Sequence, residues 1–113
     1  MNDWIKDAPL AVTVCDENGI ITEMNARAVK TFEKSGGPDL IGANLLDCHP
    51  EPSKTRLKNM LSNPATLPNA YTIEKNGVKK LIYQFALKKD GKAAGLAELS
   101  LEIPFEMRHF VRR

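Results

Sequence analysis

Residues 10–32, LAVTVCDENGIITEMNARAVKTF, leave little freedom in how they fold. Leu10–Cys15 is a β-branched run of alternating character, which reads as a strand. Asp16-Glu17-Asn18-Gly19 is turn chemistry: Asp and Asn bond their own backbone, and Gly supplies a positive φ. Ile20–Met24 reads as a second short strand. Asn25 stands where its side-chain oxygen can cap a helix by accepting from a free backbone N–H. The residues after it place Ala28, Val29 and Phe32 on one helical stripe. A two-stranded ribbon is not stable alone, so this hairpin must join strands formed elsewhere in the chain.

The C-terminal half supplies them. Ala70–Lys75 reads as a strand, and Asn76-Gly77 is the strongest hairpin signal in the chain. Val78–Lys88 follows, with Leu81, Tyr83, Phe85 and Leu87 alternating and expected to face the core. Asp90-Gly91 turns the chain into Lys92–Ile103. There Ala97, Leu99, Leu101 and Ile103 share one face, and Glu98, Ser100 and Glu102 share the face expected to meet solvent. Pro104 closes the strand.

Between the two strand sets the signals are helical. Lys34–Pro38 stops the first helix with glycines and a proline. Asp39 is expected to cap a single turn at Leu40-Ile41, and Gly42 releases the chain into a loop, Ala43–Pro50. Ser53–Ser62 reads as the longest helix, with Leu57, Met60 and Leu61 as its buried stripe. Met1–Ala8 reads as a short helix ended by Pro9. Two strands, then helices, then three strands make an α+β domain in which helices cover one sheet face.

At 113 residues the chain has room for one domain and one core. Its net charge of +2 is spread out, which argues against a nucleic-acid binder. No apolar run reaches the length of a membrane span. The acidic N-terminus lacks the apolar stretch of a secretory signal, so a cytoplasmic location is expected. Cys15 and Cys48 are then expected as free thiols. None of the G-x-S-x-G, HExxH, P-loop or GxGxxG motifs occurs, and an enzyme is not expected.

The turn Asp16–Gly19, the strand Ile20–Met24, Asn25 and the helix Ala26–Phe32, in this order, resemble the opening of a PAS domain, a small sensory module. Asp39-Leu40-Ile41-Gly42 is similar to that family's short helix before its cofactor loop. The resemblance runs over roughly residues 5–103. It implies a five-stranded antiparallel sheet in the order 2-1-5-4-3, short helices on one face, and a ligand pocket between them. It divides the chain into a cap helix (1–9), the PAS-like domain (10–103) and a basic tail (104–113). It further implies a signalling role through protein contact, with a homodimer mate or a separate signalling protein as partner. With no effector domain in the chain, the signal would pass in trans.

The pocket expected from this resemblance is lined by Val14, Phe32, Leu45, Cys48, His49, Leu57, Leu61, Tyr83 and Phe85, with Val12 and Leu99 nearby. Plain core packing is the competing reading for the apolar members. Tyr71 and Tyr83 each need a hydrogen-bond partner if buried. Cys48-His49-Pro50 carries the most distinctive chemistry. His49 is a candidate axial ligand to haem iron, Cys48 a candidate redox thiol, and both also read as structural residues of a loop. The family's best-known haem modules place the histidine inside the long helix, whereas His49 precedes it. The family's flavin photoreceptors carry an Asn-Cys-Arg-Phe-Leu-Gln-like motif just after the short helix. Here Leu45 stands near that place, which disfavours flavin. Asp47-Cys48-His49-Pro50 is similar to PAS modules beside hemerythrin-like or redox-linked domains, and names no ligand.

Overall fold

A computed structural model describes residues 1–113. A short helix α1 (Asp3–Lys6) precedes the hairpin β1 (Ala11–Cys15) and β2 (Ile21–Met24). Helix α2 (Ala26–Thr31) follows, then two 3-10 turns, Glu33–Ser35 and Gly37–Leu40. Helices α3 (Leu45–Cys48) and α4 (Ser53–Ser62) and a third 3-10 turn (Pro64–Thr66) complete the middle of the chain. The strands β3 (Asn69–Lys75), β4 (Val78–Lys89) and β5 (Lys92–Ile103) end it. The five strands form one antiparallel sheet in the order β2-β1-β5-β4-β3.

The first hairpin reaches the meander through β1 and β5, which pair from Ala11↔Ser100 to Cys15↔Leu96. β5 in turn pairs with β4 along its whole length. Asn76 and Asp90 sit at positive φ (54° and 52°) in the two meander turns, each followed by a glycine at positive φ. Both turns therefore use the conformation that Asn-Gly and Asp-Gly favour.

Two local expectations need correction. Asp39 lies inside the 3-10 turn Gly37–Leu40, and no side chain caps that turn. The stretch 43–50 is not all loop: Asn44 accepts from the Leu46 N–H and starts the helical turn α3. The tail 104–113 forms neither helix nor strand, with Arg112 stacked over the Phe110 ring at 5.1 Å.

A larger correction concerns the two sheet faces. Cys15 and Leu96, directly paired, pack with Leu57 of α4, and Leu45, Leu46, Met60, Leu61 and Leu67 gather around them. That contact identifies the face under α3 and α4. Side chains alternate across a strand, and directly paired residues share a face. Thr13, Glu98 and Gln84 therefore lie on the helix-covered face, as do Ser100 and Ile82. Val12, Val14, Ala97 and Leu99, with Leu81, Tyr83, Phe85 and Leu101, lie on the opposite, outer face. The apolar stripe expected to form the core is thus the outer surface of the sheet, and Glu98 and Ser100 point inward. Helices α3 and α4 meet the sheet at its Cys15–Leu96 end, and farther along the same face Ile82 and Gln84 are also buried, at 5% and 6% exposure.

The N-terminal segment is pinned at the corner of β2 and α2. The Met1 amino group pairs with Glu23 at 3.5 Å, and the Ile5 carbonyl accepts from the Asn25 side chain at 2.9 Å. Trp4 on this segment is 73% exposed.

Candidate functional site

The inner face carries a chain of hydrogen bonds across three strands. The Gln84 amide N–H donates to the Glu98 carboxylate at 2.8 Å, and the Gln84 carbonyl accepts from Asn69 Nδ2 at 2.9 Å. A carboxylate only accepts, so it turns the Gln84 NH₂ toward itself; the Gln84 oxygen then faces β3 and draws the Asn69 NH₂. Glu98 thereby fixes the orientation of two amides on neighbouring strands. Gln84 is buried at 6% exposure, and Glu98 is partly buried. The only ion pair of the chain is Met1–Glu23, so no cation lies within 4 Å of Glu98.

Tyr71 of β3 joins this row from the next register position, opposite Ile82. Its phenol is raised above the usual range, chiefly by burial and then by the Glu98 carboxylate, while Arg56 of α4 pulls it down. Further along the inner face, Ser100 and Lys80 meet Arg27 and Thr31 of α2 around a polar cleft of about 250 Å³, with Pro9 and Glu102 completing it.

The residues named from sequence divide into three groups. Leu45, Leu57 and Leu61 come together at the Cys15–Leu96 end, as apolar packing. Tyr83 and Phe85 lie ring to ring at 6.2 Å on the outer face. They border a groove of about 730 Å³ with Leu67 and Pro68, where β3 leaves the edge of β4. Val14 shares their face, and Phe32, half-buried, caps the end of α2. Cys48 and His49 are exposed at the end of α3. The Nδ1–H of His49 donates to the Leu45 carbonyl at 2.7 Å, a bond that closes the α3 turn. No three His, Cys, Asp or Glu side chains converge as a metal-binding group. Sequence reading missed the Asn69–Gln84–Glu98 row. Its signal was there in the polar residue at every second position of β5.

The two thiols differ sharply. Cys15 is buried, and burial raises its pKa from 9.0 to about 11; neighbouring Asp16 and Glu98 add to the rise, and a backbone hydrogen bond from Leu96 offsets part of it. Thiolates are the reactive species. An aromatic disulfide reagent at mildly alkaline pH is therefore expected to label Cys48 at once and Cys15 only on unfolding; equal rates would contradict the burial. A raised folded-state pKa means that the unfolded chain gives up its proton first as pH rises. The stability that Cys15 contributes is full below pH 9 and falls away toward pH 11. The wild type should lose stability over that window more steeply than Cys15→Ala, read by urea unfolding.

No protein-family model matches the chain, and no curated protein matches it in sequence. Solved structures do match. The Aer2 receptor from Vibrio cholerae, described as a dual PAS-heme oxygen sensor, superposes with a TM-score of 0.69 at 19% identity, over 84% of this chain and 95% of that one. The PAS domain of BvgS from Bordetella pertussis gives 0.65 at 14% identity, over 88% and 81%. The PAS domain of an HTR-like protein from Haloarcula marismortui gives 0.59 at 14%, over 88% and 86%. With the strand order β2-β1-β5-β4-β3, these matches establish that the chain has the PAS fold. No helix is long and apolar enough to cross a membrane.

Proposed function

We propose that this domain is a sensory module that holds a small ligand between the inner sheet face and α4, and reports through the outer face to a second copy of itself. The observation that carries this reading is the division of polarity between the faces. An inner face lined by Glu98, Gln84 and Thr13 is costly to seal under a helix without a polar partner, and farther along it Ser100 and Lys80 border a polar cleft of about 250 Å³. The outer face presents Val14, Leu81, Tyr83, Phe85, Leu99 and Leu101 without a charge among them. A twofold pairing would lay this patch on its own copy, apolar on apolar, with Glu23 beside Val14 and Lys79 beside Ile103 on the same face. Trp4 is exposed on the segment that the Met1–Glu23 pair pins beside β2. Occupation of the inner face would change how α4 sits on the sheet, and so bias the pairing by its differential affinity alone. The sensor receptors and histidine kinases among the structures of the same fold favour this reading.

Haem fits this inner face poorly. His49 has a free Nε2, but a porphyrin laid against the sheet would strip water from the Glu98 carboxylate, whose protein hydrogen-bond partner is Gln84 alone. A ligand-free dimerisation module is the other reading, favoured by the apolar outer face alone.

Native mass spectrometry of freshly purified protein at micromolar concentration separates them. The expected spectrum shows a dimer, reduced to monomer by Tyr83→Lys, and a small adduct or a reversible response to added ligand. An adduct of haem mass would overturn the inner-face argument. A strict monomer that retains and binds nothing would overturn the sensory reading itself.

A further inference from the structure

The two edges of the sheet are finished differently. The β2 edge is closed by the loop that follows the second 3-10 turn. Gly42 N–H donates to the Ile21 carbonyl at 2.8 Å, the Ala43 carbonyl accepts from Ile21 N–H at 2.9 Å, and Asn44 bridges to Ile20. Nothing closes the β3 edge. β3 has β4 as its one neighbour, and no backbone hydrogen bond outside that ladder involves residues 69–75. The two-residue turn Asn76-Gly77 makes the flanking pair Lys75↔Val78 a hydrogen-bonded one, and such pairs recur at every second residue. Asn69, Tyr71, Ile73 and Lys75 thus spend their backbone groups on β4. The N–H and C=O groups of Ala70, Thr72 and Glu74 point out of the sheet, unpaired. The devices that blunt such an edge are missing from its middle: the ladder with β4 runs without a bulge, and no proline or charge stands in Ala70–Ile73. All of β3 is exposed, and Tyr71 (45%) and Ile73 (37%) are among the large apolar side chains left uncovered.

We propose that β3 is a self-association edge, on which a second copy of this chain lays its own β3 antiparallel, about a twofold axis through Thr72, so that one sheet runs through both subunits. The sequence of β3 is complementary to itself in this register. Ala70, Thr72 and Glu74 meet the partner's Glu74, Thr72 and Ala70, and each of these pairs exchanges two backbone hydrogen bonds. The pairs between them set Tyr71 on the partner's Ile73 and Ile73 on the partner's Tyr71, where facing side chains come closest. Aromatic on β-branched and Thr on Thr are favourable cross-strand pairs. Lys75 meets the partner's Asn69, so no like charges stand directly opposite. A slip of two residues loses this match. In one direction Glu74 falls opposite the partner's Pro68, which has no N–H to give; in the other, Asn69 and Ala70 fall opposite the partner's Gly77 and Asn76, in the turn. The edge is separate from the outer sheet face and weaker. A single ladder of this length buries little area and belongs with transient contacts, so it joins chains that are already concentrated.

The test uses the full chain carrying Tyr83→Lys, which removes pairing through the outer face, at roughly 20 μM and roughly 1 mM, a range suited to a weak contact. Sedimentation should show monomer at the lower concentration and a rise toward twice that mass at the higher. Amide exchange at the higher concentration should slow at least tenfold at Ala70, Thr72 and Glu74, and stay unchanged at Tyr71 and Ile73, whose amides β4 already protects. In a half-labelled sample, Tyr71 Hα should give an intermolecular cross-peak to Ile73 Hα. Adding Thr72→Lys sets two like charges on the axis and should return the mass to monomer at 1 mM, as should Thr72→Glu; an equal mixture of the two should associate again. A mass that stays monomeric at 1 mM before either change overturns the proposal. So does association that Thr72→Lys leaves intact, or protection that appears elsewhere and spares Ala70, Thr72 and Glu74. None of these results bears on pairing through the outer face, which Tyr83→Lys has already removed.

Discussion

Asn25→Ala is expected to cost about 3–5 kcal/mol of unfolding free energy, because it strips up to four buried backbone groups of a partner, each worth roughly 1 kcal/mol net and more when left unsatisfied. Asn25 is 1% exposed. Its Oδ1 accepts from Val12 N–H at 2.9 Å and from Ala28 N–H at 3.0 Å. Its Nδ2 donates to the Ile5 carbonyl at 2.9 Å and the Leu10 carbonyl at 2.8 Å. One side chain therefore ties the N-terminal segment, β1 and the first turn of α2 together. A helix cap alone is worth about 0.5–2 kcal/mol. Asn25→Asp separates the two roles. Asp caps helices as well as Asn does, so a pure cap tolerates it. A four-way junction does not, since Asp keeps the acceptors but loses both donors and sets a carboxylate against two carbonyls. Urea unfolding should show Asn25→Asp nearly as damaging as Asn25→Ala. Against a typical domain stability of ~5–15 kcal/mol, either change leaves a marginal fold.

Gly95→Ala is expected to cost a similar amount, about 3–5 kcal/mol, by adding a strained backbone to an overpacked contact. Gly95 sits at φ +139° inside β5, where an added Cβ would overlap the Cys15 carbonyl oxygen and crowd Asp16 Cα at 3.0 Å. The obstacle is backbone on both counts, so no side chain can swing away. Relief requires β1 and β5 to part beside the Cys15–Leu96 pair that seats α4. Gly77→Ala is the control: its φ is +77°, but nothing lies within 4 Å of the added carbon. It should cost only the conformational penalty, roughly 1–2 kcal/mol. Comparable losses at the two glycines would show that the close approach at Gly95 is absent.

These two residues also show what the sequence makes legible. Asn25 is readable as a cap because a strand ends before it and an alanine-rich run follows. Its bonds to Ile5 and Leu10 are long-range, and no local pattern announces them. Gly95, in Lys92-Ala93-Ala94-Gly95-Leu96, lies in no turn motif; a lone strand glycine signals close backbone approach, but not to which neighbour. The strand order follows from the resemblance to the PAS family, and the hairpin turns and α4 from alternation, Asn-Gly chemistry and 3.6-residue spacing; the structure has them at or within a residue of the expected bounds.

The candidate site was less legible, for a physical reason. Alternation along β5 separates Ala97, Leu99, Leu101 and Ile103 from Glu98, Ser100 and Glu102, yet does not say which set the helices cover. Assigning the apolar set to the interior assumes that the largest apolar face is always the core. Here α4 offers apolar contacts only around Leu57, Met60 and Leu61. That stripe is satisfied by Cys15 and Leu96, which leaves the rest of the inner face free to be polar. The α3 turn was missed because four residues ahead of a proline give too short a period to detect, and only Asn44 marked its start.

Which face of the sheet lies under α4 decides where any ligand binds and where any partner docks. Nuclear Overhauser contacts from the Leu57 methyl groups report it directly. The account predicts cross-peaks from Leu57 to Leu96 and to Cys15 Hβ, and none to Leu99 or Phe85. Cross-peaks from Leu57 to Leu99 and Phe85, with Leu96 silent, would turn the sheet over and contradict it.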